Sequence, residues 1–150
     1  MSQQPRLVAI ALGWSGDVHA AREAAQETLS RAYREWDRVG SLDVPEAWVR
    51  RVLVNLLIDQ QRRLQRDRVL VERLGPPGLV PGPVTGDEQW WGAVRSLPDR
   101  QRAVITLHYL EDRSVREVAD ILEIAQGTVK ATLSHARDRL RQLLVQEDTR

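Results

Sequence analysis

The sequence predicts an all-α protein made of two small helical domains joined by a linker rich in proline and glycine. Three observations support this fold class. Apolar residues recur at helical rather than strand spacing in both halves of the chain, and one segment of thirteen residues between the halves holds four Pro and four Gly. The C-terminal half also contains two helical patterns separated by a short turn, so this domain is predicted to contain a helix-turn-helix.

Composition limits the classes of function that the chain can serve. Of its 150 residues, 42% are apolar and 29% are charged, as in ordinary globular proteins. No apolar run approaches the roughly 20 residues of a membrane helix, and the chain opens with no export signal, so we expect a cytoplasmic protein. The absence of cysteine excludes disulfides, thiolate catalysis and cysteine-based zinc fingers.

The segment LGPPGLVPGPVTG, residues 74–86, is the predicted linker. It can neither continue a helix nor pair in a sheet. It separates an N-terminal domain, residues 1–73, from a C-terminal domain, residues 87–150. A helical domain of about 60 to 70 residues can close a core of its own.

Three helices are predicted in the N-terminal domain. Residues 7–14 form a short apolar helix, after which Asp17 can cap the next one. The second helix is predicted to have one apolar face, which consists of Ala21, Ala25, Leu29, Ala32, Tyr33 and Trp36. A loop at residues 40–43 follows, and Pro45 fits the first turn of the third helix.

The third helix carries two distinct stripes. The inward stripe is apolar and consists of Trp48, Val52, Leu53, Leu56 and Leu57. The second stripe is polar and mostly basic, with helical spacing, and consists of Arg51, Asn55, Asp59, Arg62 and Arg66. Seven Arg oppose three acids between residues 50 and 73, and a second basic segment spans residues 128–141. Such segments favour focused phosphate contact, and the alternative is two solvated helix faces.

Four helices are predicted in the C-terminal domain. Residues 88–96 form the first, and Pro98 opens the second, which runs to about Leu110. Ser114 and Glu117 have the spacing of a capping box, which predicts a third helix that buries Val115, Val118, Ala119 and Leu122. After a turn at residues 123–126, the final helix has apolar residues at helical spacing, namely Val129, Leu133, Ala136, Leu140 and Leu144.

The last two helices have the helix-turn-helix pattern, in which the second helix enters the major groove of DNA. Its predicted outward residues are small or rich in hydrogen-bond donors: Thr128, Lys130, Ala131, Thr132, Ser134, His135 and Arg137. Gly127 in its first turn leaves the backbone amides open to a phosphate. The alternative is a plain helical hairpin with a polar outer face.

Residues 97–144 resemble region 4 of the extracytoplasmic-function sigma factors of bacterial RNA polymerase, which form group 4 of the sigma factors. The resemblance lies in the Leu-Pro opening, the S-x-x-E helix start and the Gly-Thr-Val-Lys start of the final helix. The segments SGDVHAAREAAQETLSRAYREW and PEAWVRRVLVNLLIDQQRR resemble regions 2.2 and 2.3 to 2.4 of the same family. Since order, spacing and linker also match, the chain is identified as a member of this family over about residues 15–144.

The resemblance implies a sigma factor that confers promoter-specific transcription initiation. Region 4 would recognise the minus-35 element as duplex through Gly127, Thr128, Lys130, Ala131, Ser134, His135 and Arg137. Region 2 would open the minus-10 element and hold it as a single strand through Trp48, Arg51, Asn55, Asp59, Arg62 and Arg63. The loop at residues 39–44 lies where the family captures a flipped non-template base. For Trp48, a core aromatic is the alternative.

The resemblance also implies partners. Gln26, Glu27 and Arg31 of the second helix would contact the clamp helices of the largest polymerase subunit, and the flap of the second largest subunit would be a further contact. An anti-sigma factor would hold the protein inactive. We expect no catalytic residue, metal or cofactor, because the polymerase supplies the chemistry and the three histidines fall on separate helices.

Several positions depart from the family pattern. Region 2 is expected to be shortened, because its usual first segment is missing ahead of residue 7. Ala24 and Ala25 stand where larger apolar residues are usual, and Glu123 stands where a turn glycine is usual, which would force a left-handed backbone on a glutamate. These departures leave open an alternative: a sigma-like helix-turn-helix regulator that no longer initiates transcription alone.

Overall fold

The computed structural model describes residues 4–74 and 88–148, except for the side chains of residues 68–74, 88 and 146–148. All regular secondary structure in these ranges is helical, as predicted. The helices are α1 (Gln4–Ser15), α2 (Val18–Arg34), α3 (Trp36–Val39), α4 (Pro45–Leu74), α5 (Glu88–Arg95), α6 (Asp99–Ile105), α7 (Val115–Leu122) and α8 (Gln126–Asp148). A π-helical turn, Thr106–Leu110, continues α6. Beyond Leu74, the predicted linker lies outside the described residues.

The N-terminal domain packs α1 and α4 against α2 around an apolar core. Asp17 caps α2 as predicted, because its Oδ1 accepts hydrogen bonds from the N–H groups of His19 (2.9 Å) and Ala20 (3.2 Å). The large buried side chains of this core are Leu7, Ile10, Trp14, Val39, Leu53 and Leu57. On α2 the buried residues are small, which lets the neighbouring helices approach closely: Ala21, Ala24, Ala25, Thr28 and Ala32.

The predicted apolar face of α2 is wrong at its C-terminal end. The side chain of Tyr33 is 85% exposed and that of Trp36 is 54% exposed. The buried face follows Thr28 and Ala32, and Tyr33 lies about 100° around the helix from Ala32. Trp36 belongs to the separate helix α3, because α2 ends at Arg34.

The C-terminal domain packs α8 across α5, α6 and α7. The predicted capping box begins α7: Ser114 Oγ accepts from the Glu117 N–H (3.1 Å), and Glu117 Oε1 accepts from the Ser114 N–H (3.0 Å). The apolar stripe of α8 is buried as predicted at Val129, Leu133, Ala136 and Leu140. Thr132 was predicted to point outward and is buried instead, because it lies three residues after Val129 and so falls on the same stripe.

The two domains also pack against each other. Helix α1 contacts α5 and the π-helical turn, and α4 contacts α7. At Gly13 of α1 the approach is so close that a Cβ atom would lie 3.0 Å from Leu110 Cδ2 and 3.3 Å from Trp91 Cζ3. Buried apolar side chains therefore form a continuous cluster through both domains. Among the described helices, none combines the length and the apolar character that a membrane crossing requires.

Candidate nucleic-acid interface

The turn of the helix-turn-helix lies between Leu122, the last residue of α7, and Gln126, the first of α8. Glu123 stands where a turn glycine is usual in the family, and its backbone is left-handed as predicted, with φ 57° and ψ 45°. The N–H groups of Glu123 and Ile124 both donate to the carbonyl of Ala119, which ends α7 sharply. The glutamate thus keeps the turn geometry despite its side chain.

The outer face of α8 is open. The side chains predicted to contact minus-35 DNA are exposed at Lys130, Ala131, Ser134, His135 and Arg137, and Thr128 is half-buried. A Cβ atom at Gly127 would meet nothing within 4 Å, so packing within the described residues does not require glycine there. The space above the first turn of α8 leaves room for a phosphate to approach its backbone N–H groups.

Tyr109, which the sequence did not indicate, forms a hydrogen bond with Arg137 of this face. The Nε atom of Arg137 donates to the hydroxyl of Tyr109 (2.6 Å), and the guanidinium lies 5.5 Å from the centre of the tyrosine ring. The rings of Trp90 and His108 contact Tyr109 edge-on. Tyr109 lies in the π-helical turn, whose extra residue shifts side chains away from the α-helical register that the sequence pattern assumes.

The polar stripe of α4 borders a cleft against α2. This cleft of about 900 Å³ is lined by Arg31, Leu56, Asp59, Arg62, Arg63, Gln65 and Arg66. Four guanidinium groups thus face one opening, with a single carboxylate among them. Asn55 is exposed on the same helix. The structure therefore places Arg31, predicted to contact polymerase, beside residues predicted to contact minus-10 DNA.

Arg51 of the same stripe is occupied by the C-terminal domain. Its Nε donates to the carbonyl of Ile121 (2.8 Å), and its Nη2 donates to the carbonyl of Asp120 (2.9 Å). Its Nη1 pairs with Glu123 Oε1 at 3.0 Å. Arg62 also crosses the domain boundary and donates to Asp99 Oδ2 (3.3 Å). Two of the predicted minus-10 contacts are therefore engaged within the chain.

Trp48 and the loop after α3 lie at the other end of α4. The Trp48 ring is half-buried against the core, and the guanidinium of Arg38 lies 5.7 Å from its centre. In the loop at residues 39–44, Val39 is buried, whereas Leu42 and Val44 are 38% and 54% exposed. The Trp48 ring therefore packs against the core as a core aromatic does, and part of it remains exposed to solvent.

The residues predicted to contact polymerase lie along α2, and one of them, Arg31, also lines the cleft against α4. Gln26 is exposed, and Glu27 is half-buried. Glu27 Oε1 accepts from Arg31 Nε (3.0 Å) and from Arg34 Nη2 (3.4 Å). The three predicted residues therefore share one surface, on which two of them form an ion pair.

An ionic cluster, buried at Arg50 and Glu111, joins α4 to the segment before α7. Arg50 is fully buried, and its Nη2 lies 3.3 Å from Glu111 Oε1. Arg113 contacts Glu111 (3.1 Å), Glu117 (3.0 Å) and Glu46 (3.4 Å). Burial alone would lower the pKa of Arg113, but the hydrogen bond that it donates to Glu117 and the charge of Glu111 outweigh burial and raise the pKa. From the sequence, Arg50 was counted among the basic residues of the third helix, and no pattern indicated that it is buried.

Arg102 makes a second buried contact between the domains. It donates to the carbonyl of Trp14 at the end of α1, and its guanidinium lies 4.9 Å from the centre of the Trp14 ring. Burial, followed by the positive charge of Arg95, lowers the pKa of Arg102 to about 10, so it remains charged at neutral pH. No group of acids and histidines within the described residues has the arrangement of a metal site.

Two family models match the chain. The model of Sigma-70 region 2 matches residues 1–67, and that of Sigma-70 region 4 matches residues 87–140. The chain is 32% identical over 145 residues to the ECF RNA polymerase sigma factor SigW of Bacillus subtilis, covering 86% of this chain and 78% of the relative. It is 36% identical over 146 residues to the ECF RNA polymerase sigma factor SigL of Mycobacterium tuberculosis, covering 91% and 81%.

Two solved structures share the fold. The sigma factor RpoE of Bartonella quintana, in complex with the anti-sigma factor NepR, matches with a TM-score of 0.71 at 28% identity, covering 94% of this chain and 91% of that one. CnrH, in complex with the cytosolic domain of CnrY, shares the fold with a TM-score of 0.60 at 23% identity, covering 92% and 79%. The predicted all-α fold with a helix-turn-helix is confirmed, and the alternative of a regulator that does not initiate is not favoured. The chain belongs to the extracytoplasmic-function sigma factors of RNA polymerase.

Proposed function

We propose that this sigma factor divides promoter recognition between two helices, with α8 contacting the minus-35 duplex and α4 the melted minus-10 strand. The observation that carries the proposal is the open outer face of α8, where Lys130, Ala131, Ser134, His135 and Arg137 are exposed. A helix held at a capped turn with such a face fits the major groove, where small residues allow close approach and donors meet base edges.

The cleft between α2 and α4 suits a single strand. The guanidinium groups of Arg31, Arg62, Arg63 and Arg66 line one opening, which matches the closely spaced phosphates of a strand. Asp59 lies among them, and its carboxylate can accept hydrogen bonds from base amino groups. Trp48, half-buried at the other end of α4, offers part of a ring for base stacking.

The part of α2 that carries Gln26, Glu27 and Arg31 is the proposed polymerase surface. Gln26 and Glu27 match the family's Gln-acid pair, which contacts the clamp helices of the largest subunit. A contact of the C-terminal domain with the flap of the second largest subunit is proposed from the family resemblance alone. On this proposal, the chain contributes binding and no catalysis, and it acts in the cytoplasm together with the polymerase. Membership of group 4 of the sigma factors is proposed on the same basis.

An anti-sigma factor is a further proposed partner. The support is that the similar RpoE of Bartonella quintana was solved in complex with the anti-sigma factor NepR. Such a partner would compete with polymerase or DNA for the surfaces described above.

Transcription in vitro tests the proposal. Core polymerase, this chain and a library of promoter fragments should yield transcripts from defined start sites, and core alone should yield none of them. Arg63→Ala should reduce open complexes on linear template more than on template melted in advance, because the cleft holds the melted strand. Sound duplex binding without specific transcripts would instead indicate a DNA-binding regulator.

A further inference from the structure

A cavity of about 740 Å³ lies where the end of α1 meets α4, α5 and the start of α6. Cavities of about 300–1,000 Å³ are the usual binding sites of small molecules. None of the residues predicted to contact DNA or polymerase lines it. The residues that do line it include two arginines, an apolar wall and two glutamines, and each group restricts the chemistry of a ligand.

The two arginines of the cavity are Arg95 and Arg102. Arg102 is 3% exposed and donates through Nη2 to the carbonyl of Trp14, whereas its Nε has no hydrogen-bond acceptor in the described part of the chain. Arg95 is half-buried, and a Cβ atom at Gly16 would lie 2.8 Å from its Cζ. Buried polar groups nearly always have a hydrogen-bond partner, and buried charges are paired or bind a ligand. The Nε atom of Arg102 is therefore a donor suited to an acceptor that the fold itself does not provide.

The charges that line the cavity favour an anion. Among the described residues around it, Asp99 is the only carboxylate, and it accepts a hydrogen bond from Arg62 (3.3 Å). Burial, followed by the charge of Arg95, lowers the pKa of Arg102 to about 10. A nearby anion would offset both effects, because it stabilises the charged guanidinium. A phosphate group has three oxygens that can accept hydrogen bonds, and guanidinium groups bind it in a bidentate geometry.

An apolar wall excludes free phosphate as the best ligand. Leu57 and Leu97 are buried, and Leu64 lines the same cavity although its side chain is 51% exposed. Covering exposed apolar surface contributes roughly 25 cal/mol per Å². Inorganic phosphate would leave this surface in water, whereas a phosphate attached to an apolar or aromatic group would cover it. The wall therefore favours an organic phosphate.

Two glutamines of α4 add hydrogen-bonding groups to the cavity. Gln60 Nε2 donates to the carbonyl of Ala20 (3.2 Å), so its Oε1 atom can accept from a ligand. Gln61 Oε1 accepts from Trp14 Nε1 (3.3 Å), so its Nε2 atom can donate to one. The edge of a nucleobase carries both donors and acceptors, and proteins recognise it through such groups. An acceptor and a donor in one cavity therefore match a base better than a hydrocarbon group.

We propose that this cavity binds a nucleoside monophosphate, with Arg95 and Arg102 on the phosphate and Gln60 and Gln61 on the base. The apolar wall would contact the base or the sugar. The site lies apart from the residues proposed to contact DNA and polymerase, so it does not depend on the proposed function. Either idea can fail without the other.

Isothermal titration calorimetry of the full chain with AMP, GMP, adenosine and inorganic phosphate tests the proposal. At least one of the nucleotides should bind at a single site, about tenfold or more tightly than adenosine or inorganic phosphate, because only a nucleotide engages the arginines and the apolar wall together. Absence of binding by both nucleotides overturns the site. Equally tight binding of phosphate overturns the role of the apolar wall and the glutamines, and equally tight binding of adenosine overturns the role of the arginines.

Gly92→Phe blocks the cavity without removing a contact. Gly92 lines the cavity from α5, and a Cβ atom there would meet nothing within 4 Å. Replacing a glycine within a helix does not lower helix stability. The phenyl ring should weaken nucleotide binding about tenfold or more, whereas Gly92→Ala, which adds only the Cβ atom, should leave the affinity nearly unchanged. Equal affinities of Gly92→Phe and the parent chain would show that the nucleotide binds elsewhere.

Arg95→Gln tests the contact with the phosphate. It should weaken nucleotide binding about tenfold and leave the weak binding of adenosine unchanged, because adenosine carries no phosphate. Arg63→Gln removes the same charge from the cleft between α2 and α4 and should not change nucleotide binding. Circular dichroism checks that each variant is folded. Equal losses in the two variants would place the nucleotide in the cleft between α2 and α4 and overturn the proposal.

Discussion

The two proposed DNA faces differ in what surrounds them. The face of α8 is exposed, and the contacts that shape it lie within the C-terminal domain, such as Ser114 with Glu117 at the start of α7 and Arg137 with Tyr109. The face of α4 is partly covered, and Arg51 reaches a carbonyl 70 residues further along the chain. Contacts within one domain thus shape the α8 face, whereas contacts between the domains occupy part of the α4 face. A helix pattern can therefore predict which residues form a face without predicting whether that face is free.

The largest expected effect concerns the open face. Lys130→Ala should weaken binding to a minus-35 duplex by about 1–3 kcal/mol, because it removes a charged donor from the groove-facing side of α8. Fluorescence anisotropy with a mapped promoter duplex measures the loss.

Arg139→Ala is the matched control for that prediction. It removes one positive charge from the same helix, and nine residues place Arg139 about 180° from Lys130. Its effect on duplex binding should be small. If the two variants bind equally well, the DNA face lies elsewhere, and the contrast between α8 and α4 loses its basis.

The next effect tests how locally the helix-turn-helix is built. Ser114→Ala should lower the free energy of unfolding by about 1 kcal/mol, because the Glu117 N–H loses its acceptor at the start of α7. Urea denaturation followed by circular dichroism measures the change. Ser30→Ala, at an exposed position within α2, should leave the unfolding free energy nearly unchanged or raise it slightly. Equal losses in the two variants would contradict a specific role for the cap.

Sequence reasoning succeeded where contacts are local. The capping box at Ser114, the cap at Asp17 and the left-handed Glu123 were all predicted from residue type and spacing, and the structure contains each of them. These features depend on backbone groups within four residues, so the pattern itself holds the information. The apolar stripe of α8 was predicted for the same reason, since its 3.6-residue period does not depend on the rest of the fold.

Sequence reasoning failed where a contact joins distant segments. Arginine usually lies at the surface, and Arg50 and Arg102 are buried only because the other domain packs against them. Tyr33 was assigned to the core because it continues an apolar pattern, yet its side chain is 85% exposed. The π-helical turn that presents Tyr109 has no sequence signature, because it shifts the register by one residue within an apolar run.

A smaller effect depends on pH. The hydrogen bond from the Ser114 N–H, followed by that from Arg113, lowers the pKa of Glu117. A carboxylate with a lowered pKa adds stability above its unfolded pKa, and this stability is lost as pH falls through the folded pKa. The parent chain should therefore lose more stability than Glu117→Gln between about pH 5 and pH 3, by less than about 1 kcal/mol because the side chain is largely exposed.

Urea denaturation at both pH values measures that difference. Glu23→Gln, at an exposed position on α2 for which no pKa shift is resolved, is the control and should follow the parent chain. If Glu117→Gln follows the parent as closely as the control does, the carboxylate does not stabilise α7 through its ionised form. The cap at the start of α7 would then depend on the Ser114 hydroxyl and not on the charge of Glu117.

The smallest effect concerns Arg137 of the α8 face, which donates a hydrogen bond to Tyr109. Tyr109→Phe keeps the ring beneath Arg137 and removes the hydroxyl that accepts its Nε hydrogen at 2.6 Å. Without this hydrogen bond, the Arg137 side chain can adopt more orientations in the free protein. Fixing it against the duplex then costs more entropy, so binding should weaken by about 0.5 kcal/mol. In a double-mutant cycle with Arg137→Ala, Tyr109→Phe should have no further effect, because its contribution acts through Arg137. An equal loss with and without Arg137 would show that Tyr109 contacts DNA itself, and the α8 face would then include the π-helical turn.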